Sequence, residues 1–179
     1  MADPAPIVLL SGPPASGKTT VGRKLAALAP GGSVFIEGDS FWFYMVKAPP
    51  GGARGPDAQK SQMIVKAMTA AATHYADAGY ETIVDFSIGY WMLPAVLPLL
   101  EGRAKSLVVL CPSKETCQAR ALTRKEGPAD YEAVYGGFHD DFSAKGPLEK
   151  HLIRDEGVEP DDMAGRIRDG LDAGAFRLG

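Results

Sequence analysis

The chain has 179 residues, of which 45% are hydrophobic and 23% charged, a composition typical of a globular protein with a sizeable core. Its formal net charge of −3 argues against a surface built for nucleic acid or anionic membranes, and its two cysteines are too few for a disulfide framework. No apolar stretch approaches the roughly 20 residues of a membrane helix, and the first residues lack a signal-peptide pattern. We therefore expect a single cytoplasmic domain over 1–179 with no membrane partner, its oligomeric state left open.

Apolar runs alternate with segments of helical spacing in the first half of the chain. The predicted elements are a strand at 7–10, a helix at 18–28, a strand at 34–36, a helix at 61–78 and a strand at 82–86. Pro30 and the glycines after it end the first helix, and Gly79 ends the second. Between them, the stretch 49–56 holds too many glycines and prolines for an element, so it is predicted to be a mobile loop.

The second half continues the same alternation. The predicted elements are a helix at 91–100 interrupted near Pro94 and Pro98, a strand at 107–110, a helix capped by Ser113 or Thr116 and running to about 125, a strand at 148–153 and a helix at 160–171. The glycine-rich stretch 127–147 is either a lid or a long surface connection. Such alternation predicts an α/β fold, a parallel sheet with helices on both faces.

A phosphate-binding motif joins the first predicted strand to the first predicted helix. The pattern G-x-x-x-x-G-K-[ST] is matched in full by Gly12, Pro13, Pro14, Ala15, Ser16, Gly17, Lys18 and Thr19. Glycines let successive backbone N–H groups point inward, and the start of the helix adds the positive end of its dipole. Lys18 can reach the β- and γ-phosphates, Thr19 can place its hydroxyl on Mg²⁺, and Thr20 can reach another phosphate oxygen. The motif predicts a bound nucleoside triphosphate and leaves the reaction to be defined by other residues.

Two carboxylates follow predicted strands at the edge where ligands of open α/β sheets bind. Asp39 comes after the second strand and can accept the proton of a substrate hydroxyl, or it can cap a helix that begins at Ser40. Asp85 closes the third strand, where a carboxylate can hold Mg²⁺ directly or through water, although many strands simply end in Asp. Glu37 is expected on the other face of its strand, because side chains alternate along a strand.

A basic pair follows the fourth predicted strand. Arg120 and Arg124 are four residues apart on the predicted helix and therefore share one face. Arginine stays charged and can donate two hydrogen bonds at once, which suits a phosphoryl group in transfer. The alternative is a solvated basic face neutralised by Glu115 and Glu126. The region 113–147 is interpreted as the lid that would carry this pair.

Three of these patches together resemble the small P-loop kinases. They are the glycine loop, the Glu37-Gly38-Asp39 end of the second strand, and the arginines after Pro112. The branch that they resemble contains chloramphenicol phosphotransferase, adenylylsulfate kinase, gluconate kinase and the zeta-toxin-like kinases. The resemblance implies a P-loop three-layer sandwich with five parallel strands in the order 2-3-1-4-5, ATP as donor, an arginine-bearing lid, and an acceptor pocket beside the second strand and the loop 45–59.

The resemblance also implies roles for individual residues. Lys18 and Thr19 would serve the phosphates and the metal, Asp39 the acceptor hydroxyl, and Arg120 and Arg124 the lid. The run Ser40-Phe41-Trp42-Phe43-Tyr44 stands where adenylylsulfate kinases have Asn-x-Arg and gluconate kinases have His-Pro. These aromatics favour an apolar or ring-bearing acceptor, as in chloramphenicol phosphotransferase, unless they pack in the core.

The sequence thus predicts an ATP- and Mg²⁺-dependent phosphotransferase acting on a hydroxyl of a small molecule. A nucleotide switch with slow hydrolysis is the first alternative, although the chain lacks the guanine-reading Asn-Lys-x-Asp motif. A toxin-like nucleotide-sugar kinase is the second. A polynucleotide 5′-kinase is the third, disfavoured by the acidic balance of the chain.

Overall fold

Five parallel strands form one sheet in the order β2-β3-β1-β4-β5, as predicted. This computed structural model describes residues 3–47, 58–123, 136–137, 139–142, 149–154 and 156–179. The strands are β1 Ile7–Ser11, β2 Ser33–Glu37, β3 Glu81–Asp85, β4 Lys105–Leu110 and β5 Leu152–Ile153. Because all five run in the same direction, their carboxyl ends meet at one edge of the sheet.

Helices cover both faces of this sheet. They are α1 Lys18–Ala27, α2 Ser40–Phe43, α3 Ala58–Asp77, α4 Leu93–Val96, α5 Lys114–Leu122 and α6 Pro160–Asp172. Short 3₁₀ turns lie at Tyr90–Met92, Leu97–Leu100 and Glu149–His151, and residues 136–137 and 139–142 are also helical. Within the described part of the chain, no helix is both long enough and apolar enough to cross a membrane.

The unbroken apolar run of β1 is explained by two separate cores. Ile7 and Leu9 pack into the core under α3 and α4, whereas Val8 and Leu10 pack into the core under α1 and α6. Successive side chains of a strand point to opposite faces, so a strand covered on both sides must be apolar at every position. The same logic places β1 at the centre of the sheet.

Several predicted boundaries shift in the structure. The strand predicted at 148–153 pairs with β4 only at Leu152 and Ile153, because a 3₁₀ turn occupies the residues before it. Helix α3 begins at Ala58, inside the stretch 45–59 that was interpreted as loop. The breaker-rich stretch 49–56 and most of 127–147 lie outside the described residues.

Local signals decide two helix boundaries. The Oγ of Ser113 accepts a hydrogen bond from the backbone N–H of Thr116 at 3.2 Å, so Ser113 is the N-cap of α5 and Thr116 is not. Pro94 and Pro98 each stand at the start of a new short helical segment, where a missing N–H costs nothing. The predicted interruption of the 91–100 helix is confirmed.

A buried histidine makes folding sensitive to acid. His151 is 1% exposed, and its Nδ1 donates to the carbonyl of Leu107 at 2.9 Å. Burial lowers the pKa of His151; the Leu107 carbonyl opposes this shift and the charge of Lys150 adds to it. The neutral ring therefore contributes stability that is complete above the unfolded pKa of about 6.5 and is lost as pH falls through the folded pKa.

We expect His151→Gln to reduce this acid sensitivity. Glutamine keeps a donor for the Leu107 carbonyl but does not titrate, so the free energy of unfolding should fall less between pH 7 and pH 5 than in the wild type. Urea unfolding followed by circular dichroism measures this difference. His74→Gln, on the exposed end of α3, is the matched control, and an equal effect of both changes would contradict the assignment.

Candidate active site

The loop between β1 and α1 has the backbone that a phosphate cradle needs. Gly12 and Gly17 have φ angles of 140° and 101°, which L side chains rarely adopt. A Cβ at Gly12 would lie 2.0 Å from the carbonyl oxygen of Leu110, so only glycine permits this approach to β4. Ala15 also has a positive φ, 61°, and its methyl packs against Cys117 and Ala121 of α5. The loop is therefore anchored to both β4 and α5.

Polar groups of the loop are arranged to receive an anion. The Nζ of Lys18 donates to the carbonyls of Gly12 and Pro13 at 3.1 and 3.0 Å, which holds the ammonium over the loop. Among the described residues, the buried hydroxyl of Ser16 has no hydrogen-bond partner. A buried hydroxyl costs free energy unless something bonds to it, so this group fits a phosphate oxygen. The start of α1 at Lys18 supplies the favourable helix dipole.

Thr19 and Asp85 form the pair expected at a magnesium site. The Oγ1 of Thr19 donates to Oδ2 of Asp85 at 2.6 Å, and Asp85 is 5% exposed. Burial raises the pKa of Asp85; the Lys18 charge and the Thr19 bond oppose this, and the charges of Asp39 and Glu37 add to it. A hydroxyl beside a buried carboxylate is an oxygen donor set that suits Mg²⁺. These two residues would hold the metal.

Asp39 stands at the same edge of the sheet without acting as a helix cap. It occupies the N-cap position of α2, but its side chain makes no capping hydrogen bond. Gly38 places it there, because the N–H of Gly38 donates to the Asp85 carbonyl at 2.8 Å and a Cβ would lie 2.7 Å from the ring of Phe86. The capping alternative is not supported; Asp39 is exposed, and its negative charge contributes to the raised pKa of Asp85.

Glu37 lies on the other face of β2, as the alternation predicts. Its carboxylate pairs with Arg23 of α1 at 2.7 Å, and Arg23 also covers the ring of Phe35 at 5.3 Å from its centroid. Both partners are partly exposed, so this pair contributes little to stability. The ion pair with Arg23 holds the Glu37 side chain on the α1 side of β2.

Arg120 reaches the phosphate loop from α5. Its Nη1 donates to the carbonyl of Ser16 at 3.0 Å, and the side chain is only partly exposed. Arg120 is therefore not part of a freely solvated basic face. Its guanidinium brings a permanent positive charge to the end of the phosphate loop. Arg124, the second member of the predicted pair, lies outside the described residues.

A cavity of about 370 Å³ opens beside Arg120 and the loop. Its walls come from the phosphate loop, the first turn of α1, the end of β5 and the start of α6; among its lining residues are Ser16, Thr20, Arg120, Ile153, Val158 and Met163. Sequence reasoning missed the apolar wall after β5. The clue was available, since ligands of open α/β sheets bind outside the carboxyl ends of the strands, and β5 ends at this edge.

Glu156 lies next to the residues that form the far wall of this cavity and is bonded to the start of α5. Its Oε1 accepts from the N–H of Ser113 at 2.5 Å, and its Oε2 accepts from the hydroxyl of Thr116 at 3.0 Å. These bonds from Ser113 and Thr116 lower the pKa of Glu156. The loop before α6 is therefore tied to the N-terminus of α5, where a carboxylate is favoured.

The aromatic run after Asp39 divides between core and surface. Phe41 and Trp42 are partly buried against the core under α3, whereas Phe43 is 83% and Tyr44 is 71% exposed. The core-packing alternative therefore accounts for only half of the run. The two exposed rings follow Asp39 in the chain by four and five residues.

A family comparison fits this arrangement. A family model described as AAA domain matches residues 7–144, from β1 through the helical residues 139–142. The chain belongs to this AAA-domain family. No curated protein matches the sequence significantly. The matched range contains the phosphate loop, Asp39, Asp85 and Arg120.

Solved structures share the fold of this AAA-domain protein over nearly the whole chain. A sugar kinase from Janibacter sp. HTCC2649 is 21% identical, with a TM-score of 0.70 over 94% of this chain and 95% of that one. The APS kinase of Mycobacterium tuberculosis, solved with AMPPNP and APS, is 16% identical, with a TM-score of 0.73 over 96% and 99%. The Deinococcus radiodurans tunicamycin resistance protein is 22% identical, with a TM-score of 0.69 over 98% and 99%. The predicted resemblance to small P-loop kinases and the P-loop fold are confirmed.

We expect Gly12→Ala to cost at least about 2 kcal/mol of stability, because it combines a disfavoured φ with a clash against the Leu110 backbone. Nucleotide binding should be lost with the shape of the loop. Thermal unfolding with and without nucleotide measures both effects. Gly31→Ala is the control, since a Cβ there meets nothing within 4 Å; a Gly12→Ala protein as stable as this control would contradict the packing argument.

The raised pKa of Asp85 predicts a trade between stability and binding. The protonated Asp85 side chain contributes its full stabilisation below pH 3.8, the ordinary pKa of an aspartate. This contribution is lost as pH rises through the higher pKa of Asp85 in the folded protein. Asp85→Asn should therefore raise the free energy of unfolding of the nucleotide-free protein at pH 7 while weakening Mg²⁺-dependent nucleotide binding. Urea unfolding from pH 4 to pH 8 and nucleotide titration with and without Mg²⁺ test this. A variant that is less stable at pH 7 would contradict it.

Proposed function

We propose that this protein is a phosphotransferase that moves the γ-phosphoryl group of ATP to a hydroxyl of a small molecule, with Mg²⁺. One observation carries the proposal. A phosphate loop, a Thr19–Asp85 pair and an Asp39 carboxylate that makes no capping hydrogen bond lie at the same edge of the sheet. A nucleotide switch needs the first two but has no use for the third. The kinase neighbours support the same reading at the level of fold.

The donor side would bind ATP mainly through the loop. The hydroxyl of Ser16, the ammonium of Lys18 and the loop N–H groups would receive the phosphates, while the cavity beside Arg120 has the size of a nucleoside site. Thr20 lines the same cavity and would reach a phosphate oxygen. When bound by Thr19 and Asp85, Mg²⁺ would neutralise charge on the phosphate oxygens.

The acceptor side would work through Asp39. The acceptor oxygen forms a bond to the γ-phosphorus, the bond from that phosphorus to the bridging oxygen of ADP breaks, and the hydroxyl proton passes to the Asp39 carboxylate. The hydrogen bond to the Ser16 carbonyl places Arg120 on the donor side, where it would stabilise the loop and the bound nucleotide. Arg124 and the lid stretch around it remain predictions, as does the cytoplasmic location. Catalysis would consist mainly of positioning and electrostatic stabilisation.

The deciding experiment is ATP consumption with Mg²⁺ in the presence and absence of hydroxylated acceptors. The panel contains aromatic alcohols, sugars, nucleosides and nucleotide sugars. Strong stimulation by one class supports the kinase, and Lys18→Ala should abolish it together with nucleotide binding. Slow hydrolysis that no acceptor stimulates would contradict the proposal and favour a nucleotide switch.

We expect Asp39→Asn to lower acceptor-dependent transfer by about 100-fold or more, the usual contribution of a general base. The affinity for ATP should stay within about twofold, because Asp39 lies outside the phosphate loop. Steady-state kinetics and nucleotide titration separate the two effects. Asp169→Asn, an exposed change on α6, is the control, and a fully active Asp39→Asn protein would show that the base is elsewhere.

A further inference from the structure

Trp91 is a large aromatic side chain that is held in place yet remains 49% exposed. Its ring lies on Gly89, where a Cβ would be 2.2–2.4 Å from three ring atoms. Gly89 has φ −69° and ψ 163°, a conformation open to any residue. The backbone conformation does not require glycine here. Glycine is required because the indole ring packs directly on this residue; we call Gly89 and the ring that it supports the seat of Trp91.

Phe142 supports the same ring from another direction. Phe142 is 1% exposed, and its ring centroid lies 6.4 Å from that of Trp91, with the planes tilted by 53°. Tyr90 packs edge-on against Phe142 at 6.5 Å, and its hydroxyl donates to the Phe142 carbonyl at 3.3 Å. The indole is therefore fixed between a glycine and a buried phenyl ring before any ligand arrives. Such preorganisation lowers the entropy cost of stacking.

The seat of Trp91 belongs to the proposed acceptor edge. Gly89 follows Asp85 by four residues. The hydroxyl of Ser11, the residue before Gly12, donates to the carbonyl of Ile88 at 2.9 Å, which ties this segment to the start of the phosphate loop. After the neighbouring strand β2, the exposed rings of Phe43 and Tyr44 follow Asp39 in the chain, in and just beyond α2. Exposed aromatic side chains thus follow both β2 and β3, whose carboxyl ends lie at the same edge of the sheet.

We propose that Trp91 is the stacking platform of the acceptor site and selects alcohols that contain a rigid ring with an apolar face. This inference rests on the proposed phosphotransferase function. A rigid ring with an apolar face gains dispersion against the indole, whereas an open-chain polyol offers no such face and loses more conformational freedom on binding. An aryl alcohol and a pyranoside both have this chemistry, and the two are separated by the test.

The first test compares acceptors of matched hydroxyl chemistry: 1-phenyl-1,2-ethanediol, methyl glucopyranoside and 1,2-hexanediol. Trp91→Ala should raise the KM of the ring acceptor that the wild type uses by roughly tenfold, leaving the KM of ATP and of the open-chain diol nearly unchanged. Whichever ring acceptor is affected identifies the class. Tyr80→Ala is the control, because Tyr80 is 44% exposed and its ring covers Gly32 at the opposite edge of the sheet.

Gly89→Ala provides a second variant that keeps the tryptophan. Its Cβ displaces the ring without demanding a new backbone conformation, so it should raise the ring-acceptor KM as Trp91→Ala does. Adding Trp91→Phe to Gly89→Ala should restore part of the affinity, since the smaller ring leaves room for the Cβ. Unchanged ring-acceptor KM in both Gly89→Ala and Trp91→Ala overturns the platform.

A binding measurement separates this inference from the proposed function. In Trp42→Phe, Trp91 is the only tryptophan, so its fluorescence reports ring ligands directly. Quenching by 1-phenyl-1,2-ethanediol or the pyranoside, but not by 1,2-hexanediol, supports the platform even if no acceptor stimulates ATP consumption. In that case only the phosphotransferase proposal fails. No quenching by either ring ligand, in a protein that still binds ATP, overturns the platform.

Discussion

The contact between Gly12 and the carbonyl of Leu110 is the constraint on which the site depends. The chain leaving β1 must pass directly against the end of β4, at a distance that excludes any Cβ. This passage turns the loop N–H groups toward the edge where β1, β3 and β4 end and directs α1 back across the sheet. From that starting point Lys18 reaches the carbonyl of Gly12 and Thr19 reaches Asp85. The need for glycine at position 12 thus determines where the charged groups around the loop are placed.

The parallel sheet then divides this edge into two sides. Toward β5 lies the cavity with Arg120 and the apolar wall that follows Ile153. Toward β2 lie Asp39 and the exposed aromatic rings. Asp85 stands at the end of β3, between the loop and Asp39, and its raised pKa reflects both its burial and the neighbouring negative charges. The phosphate loop, at the end of β1, is the boundary that both sides share.

The features predictable from sequence are those enforced by local chemistry. The phosphate loop needs glycines at two positions and a lysine and a hydroxyl beside them, and the central strand must be apolar on both faces, so each leaves a pattern in the chain. The seat of Trp91 leaves none, because Gly89 has an ordinary φ and its reason lies in a ring two residues away. The contact of Arg120 with Ser16 also depends on tertiary packing, and helical spacing predicted only that the arginine shares a face with Arg124. Strand β5 was predicted too long because its short pairing with β4 is set by the 3₁₀ turn before it.

The short helical segment at 139–142 touches both sides of the edge. Phe142 supports Trp91, while the Nε2 of His139 donates to the carbonyl of Pro112, a residue that lines the cavity beside Arg120. If a ligand stacked on Trp91 moves this segment, the cavity beside Arg120 would bind its own ligand with a changed affinity. Thermodynamic linkage requires that each ligand change the affinity for the other by the same factor. Two ligands that do not contact each other would then bind cooperatively, and residues 139–142 would carry the coupling between them.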